Sequence, residues 1–172
     1  MNHELVDETP SVSKRRPTFL TVLCILTFAA SAYYFFEGVT TIFSSKSFDE
    51  GQWKEIATQL EEGLSQADPQ TSKFLERVLD DVSVTVSRGI NKSTTLGIIT
   101  IAVALLSALG AYLMLNLNRK GFTVYVAAKI FGIILPLVIL GINIVTGFIY
   151  ALSALVSALF IILYAVNRKH MD

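Results

Sequence analysis

Long apolar runs alternate with polar segments along this chain, and the apolar runs carry almost no charge. A helix needs about 20 apolar residues to cross the hydrocarbon core of a bilayer, which is about 30 Å thick. The pattern therefore predicts four transmembrane helices, over residues 17–43, 94–117, 121–142 and 147–167.

The remaining residues divide into two polar tails, 1–16 and 168–172, a short loop at 118–121, and a longer insert at 44–93. Lys14-Arg15-Arg16 before the first run and Ala30-Ser31-Ala32 inside it also fit a cleaved signal peptide. The aromatic residues that follow, Tyr33 to Phe36, favour an uncleaved helix instead.

Two helical patterns lie in the insert. Apolar side chains recur every three or four residues after Trp53 and again after Phe74, as they do on one face of a helix. Asp68-Pro69 suits the start of the second helix, because aspartate caps and proline fits the first turn. A break is expected at 88–91. The chain is thus predicted to be an all-α integral membrane protein, a four-helix transmembrane bundle with an extracytoplasmic helical hairpin between helices 1 and 2.

Basic clusters indicate the orientation, because short cytoplasmic loops carry the excess of lysine and arginine. Residues 14–16, 119–120 and 168–169 are basic, and they fall on one side only if there are four spans. The insert, with nine acids and six bases, falls on the other. Its acids, Asp80 and Asp81 among them, are expected to be solvated. We predict a multi-pass membrane protein with both termini cytoplasmic.

Lys129 is the exceptional residue, since it lies about 13 Å into the membrane at a rise of about 1.5 Å per residue from Lys120. A central lysine costs about 2.5–3.5 kcal/mol on insertion scales, so compensation is expected. The ammonium could extend to the headgroups, or bond to Thr27, Ser107 and Ser157 at the same depth. Alternatively it meets a carboxylate of another subunit or an anionic lipid, or it belongs to an ion-transport site.

Further candidates for contact with a partner or lipid are Glu37, Trp53 and Phe74. Glu37 lies where the first span ends, beside aromatic residues typical of a membrane interface, and too far along the helix to pair with Lys129. Two short helices bury little by themselves, so Trp53 and Phe74 form either the hairpin core or an exposed anchor. Pro136 is expected to kink the third span.

Small residues recur on the later spans and allow helices to approach closely. They are expected to pack within the bundle, or to form a face for another membrane protein. On the second span they are Gly97, Ala104 and Ala108; on the third, Ala128 and Gly132; on the fourth, Ala151, Ala154 and Ala158.

Composition narrows the function classes. The net charge is zero, so nothing suggests nucleic-acid binding, and Cys24 is the sole cysteine of the 172 residues. The two histidines lie in the polar tails. The sequence shows no glycine-rich phosphate loop, nucleophile elbow or zinc-protease motif. We expect no enzyme activity, no cofactor and no metal.

The segments from Arg16 to Phe28, from Asn118 to Val126, and from Ile162 to Met171 resemble a group of uncharacterised small four-helix inner-membrane proteins of the Bacteroidota. The resemblance covers the spans but not the insert. The group has no assigned activity, so the resemblance implies an inner-membrane location and supplies no catalytic residues.

Three hypotheses on function follow. The first is a non-catalytic accessory or scaffolding subunit of a larger inner-membrane complex, of the secretion, translocation or respiratory type, with the lipid bilayer and other membrane subunits as partners. The second is a small transporter or channel that uses Lys129 and the Pro136 kink. The third is a sensor or binding module that uses the 44–93 insert.

Overall fold

A computed structural model of the protein describes residues 18–44, 55, 58, 59 and 68–168, and these residues form helices joined by short turns, with no strand among them. Five helices are defined in it, in chain order. They are α1 (Thr18–Ser44), α2 (Pro69–Asn91), α3 (Ser93–Leu115), α4 (Lys120–Leu140) and α5 (Ile144–Asn167).

Four of these helices, α1, α3, α4 and α5, are long and apolar enough to cross a membrane, with mean hydropathies between 1.9 and 2.4. Large apolar side chains are exposed along all four, for example Ile25, Leu105 and Leu155. Such a surface is stable against lipid rather than water. Among the described residues, the chain is therefore an all-helical, multi-pass membrane protein, as the apolar pattern predicts.

Glycines bring α1, α3 and α4 into close contact along two seams. A Cβ atom at Gly97 of α3 would lie 2.7 Å from the carbonyl oxygen of Gly38 on α1. A Cβ at Gly110 would lie 2.9 Å from the backbone nitrogen of Tyr125 on α4, and one at Gly121 would lie 2.6 Å from the Gly110 carbonyl oxygen. No larger residue fits there, so the three helices form one close-packed unit.

The buried apolar core lies where α1 and α4 begin and α3 and α5 end, which we call the basic end because Arg119, Lys120 and Arg168 lie there. The rings of Tyr125 and Tyr164 pack edge to face, with their centroids 5.0 Å apart. The Tyr164 and Thr27 hydroxyls share a hydrogen bond of 2.7 Å. Around them pack Leu20, Leu23, Cys24, Ala111 and Met114.

At the opposite end, α2 contacts α3, α4 and α5 and holds the turn between the last two spans. Asp81 accepts a hydrogen bond of 2.9 Å from the backbone N–H of Ile144, the first residue of α5. The Asn143 side-chain amide donates a hydrogen bond of 2.8 Å to the Thr85 hydroxyl, and the Arg88 guanidinium donates one of 2.7 Å to the Leu140 carbonyl oxygen. We call this set of contacts the α2 clamp.

Helix boundaries differ from the predicted ones for local reasons. The fourth span begins at Ile144 rather than 147, because Asn143 and Thr146 form a reciprocal cap ahead of Gly147. Gly141 has a φ of 86°, which ends α4 just before it. The expected break at 88–91 is wrong: α2 continues through Asn91 and only Lys92 separates it from α3.

Candidate functional site

An intramembrane cleft of about 620 Å³ lies between the α1–α3–α4 unit and α5. It extends from the level of Thr27 on α1 and Tyr125 on α4 to that of Glu37 and Pro136. The basic-end core closes it on one side along the helix axes, and the α2 clamp secures the far end of α5. The cleft therefore occupies the middle of the bundle, where α5 stands away from its neighbours.

Lys129 reaches this cleft from α4 and is half-buried. Its ammonium nitrogen lies 5.3 Å from the centroid of the Tyr125 ring, a distance suited to a cation–π contact. No hydrogen bond or ion pair to Lys129 occurs among the described residues. The cation is thus solvated by one aromatic face and whatever fills the cleft.

Hydroxyl groups line the cleft at the depth of Lys129. Thr27, Ser107 and Ser157, the three residues expected at that depth, all face the same space as Lys129. Lys129 donates no hydrogen bond to any of these three hydroxyls. Thr27 bonds to Tyr164 instead, and the buried Ser107 hydroxyl has no partner in the described part of the chain.

Glu37 and Pro136 lie toward the other end of the cleft. Glu37 is exposed and lines the space with Tyr34, one turn away on α1. Its carboxylate forms no ion pair with Lys129, in keeping with their separation along the helices. Pro136 lies inside α4, which continues past it to Leu140. The two ends of the cleft therefore differ in charge, with the cation Lys129 near the core and the acid Glu37 at the other end.

The predicted small packing residues of α3 and α4 lie at helix contacts. Gly97 faces α1, Ala104 and Ala128 are buried, and Ala108 is half-buried. A Cβ at Gly132 would lie 3.0 Å from the Val103 side chain of α3.

The small residues of α5 are placed differently. Ala154 is half-buried, whereas Ala151 and Ala158 are exposed. Nothing lies within 4 Å of the position that a Cβ would take at Gly147. With Ala154, these residues form one stripe at intervals of three and four residues, which we call the α5 stripe: Gly147, Ala151, Ala154 and Ala158.

Of the two insert residues singled out, Trp53 lies outside the described residues, and so does the first helix of the predicted hairpin. Phe74 lies on α2 and is 58% exposed, so none of the described helices covers it. Asp81 has a role that its sequence context did not indicate. The sequence predicts a solvated surface acid. In the structure, however, its carboxylate caps α5 by accepting a hydrogen bond from the backbone N–H of Ile144, which is 63 positions away in the sequence.

Asp68, at the start of α2, carries the clearest electrostatic signal outside the spans. Hydrogen bonds from the Thr71 hydroxyl, then from the backbone N–H groups of Thr71 and Gln70, hold the pKa of its carboxyl below the usual value. These bonds favour the ionised form, which caps the helix.

The described residues contain no group of three or more histidine, cysteine, aspartate or glutamate side chains that could hold a metal ion. No protein family, curated protein or solved structure matches the chain. The resemblance to small four-helix proteins of the Bacteroidota therefore stays a prediction, and the function is argued from the geometry.

Proposed function

We propose that this protein is a non-catalytic accessory subunit of a larger membrane complex, of the secretion, translocation or respiratory type, and that α5 is the helix on which a partner span packs. The α5 stripe carries the proposal. Gly97, Gly110 and Gly121 lie at close helix contacts. By contrast, no atom of the described residues lies within 4 Å of a Cβ placed on Gly147, and Ala151 and Ala158 are exposed.

The poor burial of α5 supports the same role. Only 6% of the residues in its 18-residue apolar stretch are buried, against 28% in α1 and α3. Helices in lipid associate by close van der Waals packing at small residues, because lipid tails already satisfy apolar side chains. A small-residue stripe that the protein's own helices do not cover suits a second protein better than lipid.

A variant that fills the stripe tests the proposal. The tagged protein is purified from its native membrane in a mild detergent, and the co-purifying proteins are quantified by mass spectrometry. We expect membrane subunits with the wild type and at least a tenfold loss with Ala151→Leu. Ala102→Leu, the same change at an exposed site on α3, should retain them. A wild-type protein that runs alone, or equal recovery with both variants, contradicts the proposal.

The proposed location is the bacterial inner membrane, with the basic end cytoplasmic and α2 outside. The cations Arg119, Lys120 and Arg168 at one end support this orientation, since lysine and arginine concentrate in short cytoplasmic loops. In a Cys24→Ser background, a membrane-impermeant maleimide should label Gln70→Cys in intact spheroplasts and Lys120→Cys only after lysis. The reverse pattern would invert the topology.

A transporter is the second candidate, because the cleft joins Lys129 to the Pro136 segment of α4. A lone cation without an acid in ion-pair range makes a poor relay, so we rank it below the accessory role. The third candidate, a sensor built on the insert, rests mainly on residues outside the described ranges.

A further inference from the structure

We infer that the cleft binds a long-chain carboxylic acid, with the carboxylate at Lys129 and Ser107 and the hydrocarbon chain along the apolar wall. This inference goes beyond the accessory role. It rests on the cleft between the helices, whereas the accessory role rests on the outer face of α5, and either can fail without the other.

The positive charge of Lys129 favours an anionic ligand in the cleft. A lysine at membrane depth is costly, and a charge-assisted hydrogen bond to an anion would stabilise the ammonium group more than its cation–π contact with Tyr125 does alone. Lys129 has the Tyr125 ring on one side and the cleft on the other. An acid that enters the cleft completes the solvation of this ammonium group.

Ser107 is the second, independent sign of a ligand. Its side chain is 2% exposed, its hydroxyl has no hydrogen-bond partner among the described residues, and it lines the cleft with Lys129. Buried hydroxyls normally find a partner, because an unpaired one has lost its hydrogen bonds to water without replacement. A carboxylate has two acceptor oxygens, so one can accept a hydrogen bond from the Ser107 hydroxyl while the other faces Lys129.

Size and lining favour a hydrocarbon chain over a protein helix. A helix about 10 Å across that rises about 5.4 Å per turn fills about 420 Å³ per turn, so the cleft would hold about one and a half turns. Small-molecule sites commonly measure about 300–1,000 Å³ and are mostly apolar. The wall beyond Lys129 is of that kind, formed by Ile99, Val103, Ile133, Phe148 and Leu152.

The direction of the ligand follows from the two charges. Glu37 at the opposite end of the cleft repels an anionic headgroup, whereas Lys129 near the core attracts it. A carboxyl group can reach that depth in its neutral, protonated form and then release its proton to water, which leaves a carboxylate beside the Lys129 ammonium group. A phosphate headgroup keeps its charge and would carry the full cost of burial.

Photolabelling in phosphatidylcholine nanodiscs tests the inference with a palmitic acid that bears a diazirine on its chain. We expect crosslinks on the cleft-lining residues of α4 and α5. Oleic acid should prevent them at a concentration at least tenfold below that of oleyl alcohol or oleoyl lysophosphatidic acid. Lys129→Gln should lower labelling at least tenfold and Ser107→Ala about fivefold, while Lys129→Arg retains most of it. Lys120→Gln, a change of the same kind at the membrane surface, should have no effect.

Several outcomes overturn the inference: equal competition by the alcohol or by the phosphate lipid, unchanged labelling of Lys129→Gln, or crosslinks spread evenly over the lipid-facing surface. Removing the cation lowers the cost of insertion, so Lys129→Gln is expected to fold. If oleic acid does not compete but Lys129→Gln loses co-purifying subunits, the cleft binds a partner's acidic side chain. The Ala151→Leu comparison is read separately and decides only the accessory role.

Discussion

The two halves of this bundle use small residues in opposite ways. Between α1, α3 and α4, the contacts at Gly97, Gly110 and Gly121 bring backbone against backbone, and a single added Cβ would lie under 3 Å from a neighbouring atom at each of them. On α5, a Cβ placed on Gly147 would have no atom of the described residues within 4 Å. The same residue type therefore closes one half of the protein and leaves the other half open.

The difference separates what holds the fold from what is available for binding. The glycine seams leave no space between their helices, so they can only be structural. Helix α5 is held near its two ends, by the tyrosine core and by the α2 clamp, and the cleft lies between those contacts. A binding site inside this protein therefore belongs beside α5.

The largest effect should come from adding one methyl group to a glycine seam. Gly110→Ala places a Cβ 2.9 Å from Tyr125, so we expect a loss of about 1–3 kcal/mol in the free energy of unfolding. Gly147→Ala is the matched control and should be neutral or stabilising by up to about 1 kcal/mol. Steric-trapping measurements in bicelles give both values. Equal changes in the free energy of unfolding for the two variants would contradict the proposed difference between the glycine seams and α5.

Breaking the α2 clamp should loosen α5 without disturbing the other spans. Asn143→Ala removes the cap on Thr146 and the bond to Thr85, so we expect a cost of about 1–2 kcal/mol. Hydrogen exchange should rise at the start of α5 and stay unchanged across α1 and α3. Asn118→Ala, which loses only a local bond to the Lys120 N–H, should cost less. Faster exchange throughout the bundle would mean that α5 is not a separate unit.

The apolar pattern predicted the spans because a bilayer demands length and hydrophobicity, and these are local properties. It could not predict the α2 clamp, because Asp81 and Ile144 are 63 positions apart and nothing near Asp81 distinguishes it from Asp80. The depth of Lys129 could be counted from Lys120, and so could the hydroxyls at that depth. Which hydroxyl stays unpaired depends on Tyr164, whose partner lies 137 positions away on α1.

A smaller effect is expected at the basic-end core. Tyr164→Phe and Thr27→Val each remove one side of the buried hydrogen bond and change shape little. A double-mutant cycle should give a coupling of about 0.6–1.7 kcal/mol, the range for such bonds inside membrane bundles. A coupling energy of zero would mean that packing, and not this hydrogen bond, holds the basic end of α5 against the bundle.

The smallest effect should occur at the start of α2. The pKa of Asp68 is lowered by its bonds to Thr71 and Gln70, so the cap stabilises α2 above the usual aspartate pKa of about 3.9 and is lost as the pH falls through the lower folded value. The NMR shift of the Thr71 amide should report this titration. Asp68→Asn, which caps without a charge, should abolish it. Because the glycine seams of the three-helix unit involve no residue of α2, its signals should not move.

The short connection from α3 to α4 has a consequence for biosynthesis. Only Asn116 to Arg119 separate these helices, and the Gly110–Gly121 contact lies beside that turn. The two spans can therefore leave the translocon as a paired hairpin, in which Ser107 of α3 and Lys129 of α4 already line the same space before α5 has been synthesised. We expect α4 to insert less efficiently alone than behind α3 when both are assayed by glycosylation mapping. Equal efficiency would show that Lys129 needs no partner during insertion.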